Sequence, residues 1–181
     1  MPTAIDGTRG QTLAQLTVAD EGALMALAGR IESCLEVPDV LGLIGALGVG
    51  KSVFARGVIS AAKARLGLPP ESIPSPSFSL MQFYPRPTEQ NSEAGIWHVD
   101  AWRLNDDTAL AEAESLGIGE ALASHICLIE WADKLLRLLP PRSLLCHIQF
   151  GASAGERHLA FTTGDDFVDG WRTRLNQALN S

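Results

Sequence analysis

The eight residues GALGVGKS, 45–52, join an apolar run, DVLGLI (39–44), to a helical pattern, KSVFARGVISAAKARLG (51–67), and no other stretch limits the possible folds as much. Glycines at 45, 48 and 50 allow positive φ and leave no side chain between successive backbone N–H groups and an approaching ligand. Read as G-x-x-x-x-G-K-S, the segment supplies a run of N–H donors and a helix N-terminus with its partial positive charge, so the expected ligand is an anion, and a phosphate in particular. In that arrangement Gly45, Ala46, Leu47, Gly48, Val49 and Gly50 form the cradle, Lys51 reaches the β- and γ-phosphates, and Ser52 offers its hydroxyl to Mg²⁺. Apolar residues at 53, 54, 58, 59, 61, 62 and 66 keep helical spacing as far as Gly67 and Pro69. Strand, phosphate loop and helix thus follow in the order that a P-loop α/β fold requires.

At 181 residues with 46% hydrophobic content, the chain can bury one sizeable core, and no linker divides it. A single domain over residues 1–181 is expected, with residues 1–14 as a poorly ordered polar arm. No run approaches the roughly 20 apolar residues of a membrane span, and MPTAIDGTRG lacks the pattern of a secretory signal, so the expectation is a cytoplasmic protein without a membrane. Cys34, Cys127 and Cys146 lie far apart inside apolar patterns, which suits reduced core thiols better than disulfides or a structural metal. A net charge of −7 argues against wrapping a nucleic-acid backbone, so any connection to RNA is expected to be indirect.

Along the chain, TVADEGALMALAGRIESCL (17–35) reads as an amphipathic helix with Thr17 and Asp20 placed like a capping box. SIPSPSFSLMQFY (72–84) becomes β-rich after its prolines, PRPTEQNSEAG (85–95) reads as a mobile hairpin loop, and IWHV (96–99) as a strand ending at Asp100. A helix is expected over 106–117, capped by Asp106 or Asp107 and stopped by Gly117, then a buried strand ICLI (126–129) and a helix over 132–139 cut by Pro140 and Pro141. LLCHIQF (144–150) and RHLAFTT (157–163) read as a β-hairpin, and a last helix runs over about 165–179.

A bound Mg-nucleotide needs an acidic group near the metal, at the carboxyl end of a strand beside the P-loop strand. Asp100 and Glu130 both fit. Glu130 is the better metal-linked or water-orienting group, and Asp100 suits a water-mediated metal contact or a general base; sequence does not apportion the two roles. The proline-held hydroxyls of Ser75 and Ser77 lie where nucleotide hydrolases keep a switch loop, or form an ordinary proline turn. Trp97 and His98 alternate, so one of them faces the core, and a lone histidine there is more often structural than catalytic. Trp131 suits either a cover for nucleotide or partner or a core aromatic, and Arg103 either a phosphate contact or a surface ion pair.

Taken together, GALGVGKS (45–52), SPSF (75–78), HVDAWR (98–103) and IEW (129–131) closely resemble the bacterial TsaE family, over about residues 15–165. The resemblance implies a P-loop sheet with mixed parallel and antiparallel strands, and the ATPase component of tRNA threonylcarbamoyladenosine (t6A) biosynthesis. It would dock on the TsaB-TsaD pair and drive its turnover, with ATP and Mg²⁺ as cofactors, ADP as product and tRNA touched only indirectly. By the same resemblance residues 75–78, with Ser77 among them, sense the nucleotide, and Asp100, Glu130 and Trp131 match positions needed for activity. Three departures stand out. The family usually carries Thr where this chain has Ser52 and Ser77, which keep the hydroxyl, and Tyr where it has Trp102, which keeps the ring and loses the phenol.

Two other functions are compatible with the motif: a small-molecule or nucleoside kinase, and a regulatory subunit that holds nucleotide without hydrolysing it. A kinase usually carries an arginine-rich lid, and the 85–95 loop holds only Arg86.

Overall fold

The computed structural model describes residues 10–89, 91–105 and 107–180. In chain order the elements are β1 (Gln11–Val18), α1 (Glu21–Glu32), β2 (Val40–Ile44), α2 (Lys51–Arg65), β3 (Met81–Pro85), β4 (Gly95–Asp100), α3 (Ala109–Ser115), α4 (Ile118–Ser124), β5 (Ile126–Glu130), β6 (Leu144–Phe150), β7 (Arg157–Thr163) and α5 (Val168–Asn180). Single 3-10 turns occupy Ala101–Arg103, Ala132–Leu135 and Asp165–Phe167.

All seven strands lie in one sheet, ordered β1-β7-β6-β2-β5-β4-β3. The central strands β6, β2, β5 and β4 are parallel, and the flanking pairs β1 with β7, β7 with β6, and β3 with β4 are antiparallel. This is the mixed α/β sheet expected for the chain. Position follows from composition: VLGLI and ICLIE are apolar without alternation and sit where both faces are covered, as central parallel strands require. On one face α1, α2 and α5 bury a core that includes Leu27, Phe54, Leu43, Phe161 and Trp171; on the other, α3, α4 and the 132–135 turn bury Val99, Ile118, Ile129 and Leu135. The three cysteines are buried thiols, and burial pushes Cys34 up to about 11, Cys127 up to about 12 and Cys146 higher still. Among the described residues no helix is long and apolar enough to cross a membrane.

Local signals account for several boundaries. Asp20 caps α1 by accepting from the Ala23 N–H at 2.8 Å. α2 ends in a Schellman turn, with Gly67 at φ +70° and the Leu68 N–H reaching the Lys63 carbonyl at 3.1 Å.

Other expectations need correction. Residues 11–14, read as part of a poorly ordered polar arm, belong to β1, and 1–9 lie outside the described residues. The helix expected from residue 17 begins at Glu21, and the Thr17 hydroxyl pairs with His158 across the β1/β7 ladder instead of capping. Of the 72–84 run only residues 81–84 are strand, the start of β3, which continues to Pro85; upstream, Pro74 and Pro76 cannot donate to a ladder. The 106–117 helix starts at Ala109 with Thr108 before it, so Asp107 does not cap it, and Asp106 lies outside the described residues. The helix expected over 132–139 is one 3-10 turn, since Trp131 enters it in the left-handed conformation and two prolines follow closely.

Candidate functional site

The loop after β2 reaches α2 through glycines whose φ values are positive: +153° at Gly45, +75° at Gly48 and +113° at Gly50. At Gly45 a Cβ would sit 2.3 Å from the Ile148 carbonyl oxygen, so no other residue fits there. A Cβ at Gly48 would meet nothing within 4 Å, so the loop is open at that point. Gly50 is the N-cap of α2 and offers no side-chain acceptor, and the first turn of the helix holds no acidic residue. The N–H groups and positive end of a 15-residue helix therefore face the loop without a counter-charge from their own turn.

Lys51 opens that helix and is only 4% exposed. Its Nζ donates to the carbonyls of Gly45 (2.6 Å) and Ala46 (2.9 Å) and lies 3.5 Å from the ring centre of Trp131. Burial lowers its pKa, and the nearby carboxylates of Glu130, Asp133 and Asp100 oppose that shift. Trp131 is held at φ +58°, a strained conformation for a bulky residue, and its ring packs 4.4 Å from that of Trp102.

Two carboxylates face this cation from neighbouring strands. Asp100 and Glu130 end β4 and β5 and are register partners, both buried. Glu130 Oε2 accepts from the Ser52 hydroxyl at 2.7 Å, and its Oε1 lies 2.9 Å from His98 Nε2. Asp100 Oδ2 accepts from Ser77 Oγ at 2.6 Å and Ser75 Oγ at 3.3 Å, while Oδ1 accepts from the Trp102 N–H at 3.0 Å. The 71–80 segment is folded toward the sheet by the Leu80 N–H bond to Pro76 and the Asp100 N–H bond to Leu80.

Leu47, Gly48, Gly50, Lys51, Ser52, Ser77, Asp100, Glu130 and Trp131 line a single cleft of about 500 Å³. Gly45 and Ala46 contribute the carbonyls that hold Lys51, whereas Val49 turns its side chain into the core and gives its carbonyl to Arg157 Nε at 2.7 Å. Arg103 also lines the cleft and lies over the ring of Phe78, which is 88% exposed.

Sequence reasoning misses three contacts. His98 bonds Glu130, a contact set by the β4/β5 register; alternation within IWHVD relates His98 only to Asp100 on its own strand. Ser75 joins Ser77 on Asp100, and Arg157 braces the loop from a position 108 residues away, for which no local signal exists.

Chemically, the cleft offers hard oxygen ligands from two hydroxyls, Ser52 and Ser77, and two carboxylates beside a cation and a helix N-terminus. No group of three or more His, Cys, Asp and Glu side chains among the described residues could hold a metal ion by itself. Mg²⁺ needs no such cage when phosphates supply part of its coordination, so Ser52 with Glu130 or Asp100 fits a phosphate-bound Mg²⁺.

Comparison with known proteins gives a consistent set of likenesses. A family model described as "Threonylcarbamoyl adenosine biosynthesis protein TsaE" matches residues 18–159. The tRNA threonylcarbamoyladenosine biosynthesis protein TsaE of Rickettsia conorii is 34% identical over 125 residues, which are 69% of this chain and 65% of that protein. Its namesake in Mycobacterium tuberculosis is 32% identical over 146 residues, 79% of this chain and 82% of that one. The Bacillus subtilis protein is 32% identical over 125 residues, 68% and 69% of the two chains. The crystal structure of Bacillus subtilis YdiB superposes with a TM-score of 0.66 over 94% of this chain and 97% of that one, at 22% identity, and so shares the fold.

Proposed function

Since the chain belongs to the TsaE family of tRNA threonylcarbamoyladenosine biosynthesis proteins, we propose that it is the family's Mg-dependent ATPase, which docks on a TsaB-TsaD pair and drives its turnover. One observation carries this reading: Lys51, Ser52, Asp100 and Glu130 meet in one cleft at the carboxyl ends of adjacent parallel strands, beside an uncapped helix N-terminus. Backbone N–H groups of residues 45–50 hold the phosphates, and Lys51 leaves its two carbonyls to meet their negative charge. Mg²⁺ supplies charge neutralisation on the β- and γ-phosphates, with Ser52 and one or both carboxylates as its protein ligands. Glu130 or Asp100 orients the attacking water, and the short path from Asp100 through Ser77 to residue 78 links that chemistry to the exposed rim. A net charge of −7 suits a subunit whose contact with tRNA is indirect.

The kinase reading has less support, because Arg86, the one arginine of the 85–95 loop, is tied to Glu32 (2.7 Å) and the Leu35 carbonyl (2.9 Å). A non-hydrolysing nucleotide-binding regulator differs from the ATPase only in turnover. The deciding measurement is Mg-dependent ATP hydrolysis by the purified protein, alone and with the TsaB-TsaD pair, with Lys51→Ala as control. Hydrolysis should rise with the pair and fall by at least about 100-fold in the variant. Phosphoryl transfer to a metabolite would make it a kinase, and tight binding without turnover beside both partners would make it a regulator.

A further inference from the structure

His98 is fully buried on β4, the strand that ends at Asp100, yet the Mg-nucleotide chemistry described above does not use it. The two-residue period of the strands puts His98 and Asp100 on the α2 side of β4, and Leu128 and Glu130 on the same side of β5. Register pairs His98 with Leu128 and Asp100 with Glu130, so the imidazole approaches Glu130 diagonally. A carboxylate brings no hydrogen to that contact, so Nε2 carries the proton and donates to Oε1 at 2.9 Å. Nδ1 is buried without a hydrogen-bond partner. A side chain serving packing alone would be apolar here and avoid an unpaired polar atom. What the imidazole provides in return is one bond to Glu130.

The terminal torsion of a glutamate is broad, so a carboxylate held by one oxygen swings about its last bond. Here each oxygen has its own anchor, Oε1 on His98 and Oε2 on Ser52. We propose that His98 is a positioning residue that fixes the plane of the Glu130 carboxylate and keeps Oε2 turned toward Ser52, where the metal-bound phosphates would lie. The proposal rests on the Mg-nucleotide reading of the cleft. Its action is on the metal-linked part of nucleotide binding and not on the phosphate loop itself.

The test is calorimetric titration of ADP, once with Mg²⁺ and once with EDTA, for the wild-type protein, His98→Leu and His98→Gln. The ratio of the two affinities isolates the metal-linked contribution. His98→Leu should lose about tenfold or more of the wild-type enhancement by Mg²⁺ while its affinity in EDTA stays within about twofold, and His98→Gln, which keeps an N–H at similar reach, should recover most of the loss. An unchanged ratio in folded His98→Leu, or equal weakening with and without Mg²⁺, would overturn the proposal and leave the Mg-nucleotide reading intact. No ADP binding by the wild type, or binding indifferent to Mg²⁺, would overturn both together. If the leucine variant does not fold, imidazole nitrogen NMR of the wild type decides: a proton on Nε2 supports the assignment, and an Nε2 without a proton refutes it.

Discussion

Lys51 carries its charge where water hardly reaches, gripped by two loop carbonyls and the face of Trp131. Burial lowers its pKa below the ordinary lysine value, so the ammonium is less favourable in the folded state than in the unfolded one. Between the folded and unfolded pKa values the unfolded chain binds the extra proton, so stability rises with pH across that window as the buried charge is relieved. Lys51→Met removes the charge and keeps the stem. Without nucleotide the variant should melt at or above the wild type near neutral pH, and that advantage should shrink as pH climbs toward the ordinary lysine pKa. Added Mg-ADP should raise the wild-type Tm and leave the variant unmoved. Thermal scans at several pH values check all three, and a variant that melts well below the wild type would show that the bonds to Gly45 and Ala46 outweigh desolvation. At this scale Lys51 and Ser52 are legible in the sequence because their roles follow from a local motif, and Asp100 and Glu130 because each ends an apolar run. The bonds that tie them together, Ser52 to Glu130 and His98 to Glu130, span 78 and 32 residues and depend on strand register, which no local pattern encodes.

The element most exposed to packing error is α2, whose N-terminus forms part of the phosphate loop. It crosses α1 at Gly57, where an added Cβ would lie 2.7 Å from Ala28 Cβ and 2.8 Å from the Met25 carbonyl oxygen. In an isolated helix Gly57→Ala would stabilise by about 1 kcal/mol. Here part of the obstacle is backbone, which cannot rotate away, and overpacking of that kind costs about 1–3 kcal/mol. The net expectation is a loss of up to about 2 kcal/mol, read from a lower denaturant midpoint at constant slope; a more stable variant would mean that α1 shifts freely. Helices and central strands are the elements best read in advance, since apolar spacing over KSVFARGVISAAKAR and unbroken apolarity in ICLI each point to one structure. β1 escapes that reading because QTLAQLTV is largely exposed and polar, an edge strand that owes its existence to the β7 ladder about 145 residues later. The turn after Glu130 escapes it too, because Trp131 adopts a left-handed conformation that sequence does not announce for a tryptophan.

Across the whole molecule, the sheet is the wall shared by both cores: alternate residues of β2 and β5 belong to one cluster and then the other, as Leu41 and Val40, or Leu128 and Ile129, show. Neither core can be lost without exposing the strands that carry the other, and the cleft draws its residues from β4, β5, α2 and the loops beside them. Unfolding should therefore be one cooperative transition, as expected of a single domain, and a ligand of the cleft should move all of it. With Mg-ADP at about 100 times its Kd, the linkage gain is about 2.7 kcal/mol. For a chain of this size that corresponds to a rise in Tm of about 5–10 °C. Calorimetry with and without Mg-ADP tests both statements at once. A single endotherm that shifts as a unit supports the coupling; two endotherms of which one shifts would mean that the β1-β7-β6 side melts apart from the nucleotide cleft, and an unmoved endotherm would remove the basis for nucleotide binding itself.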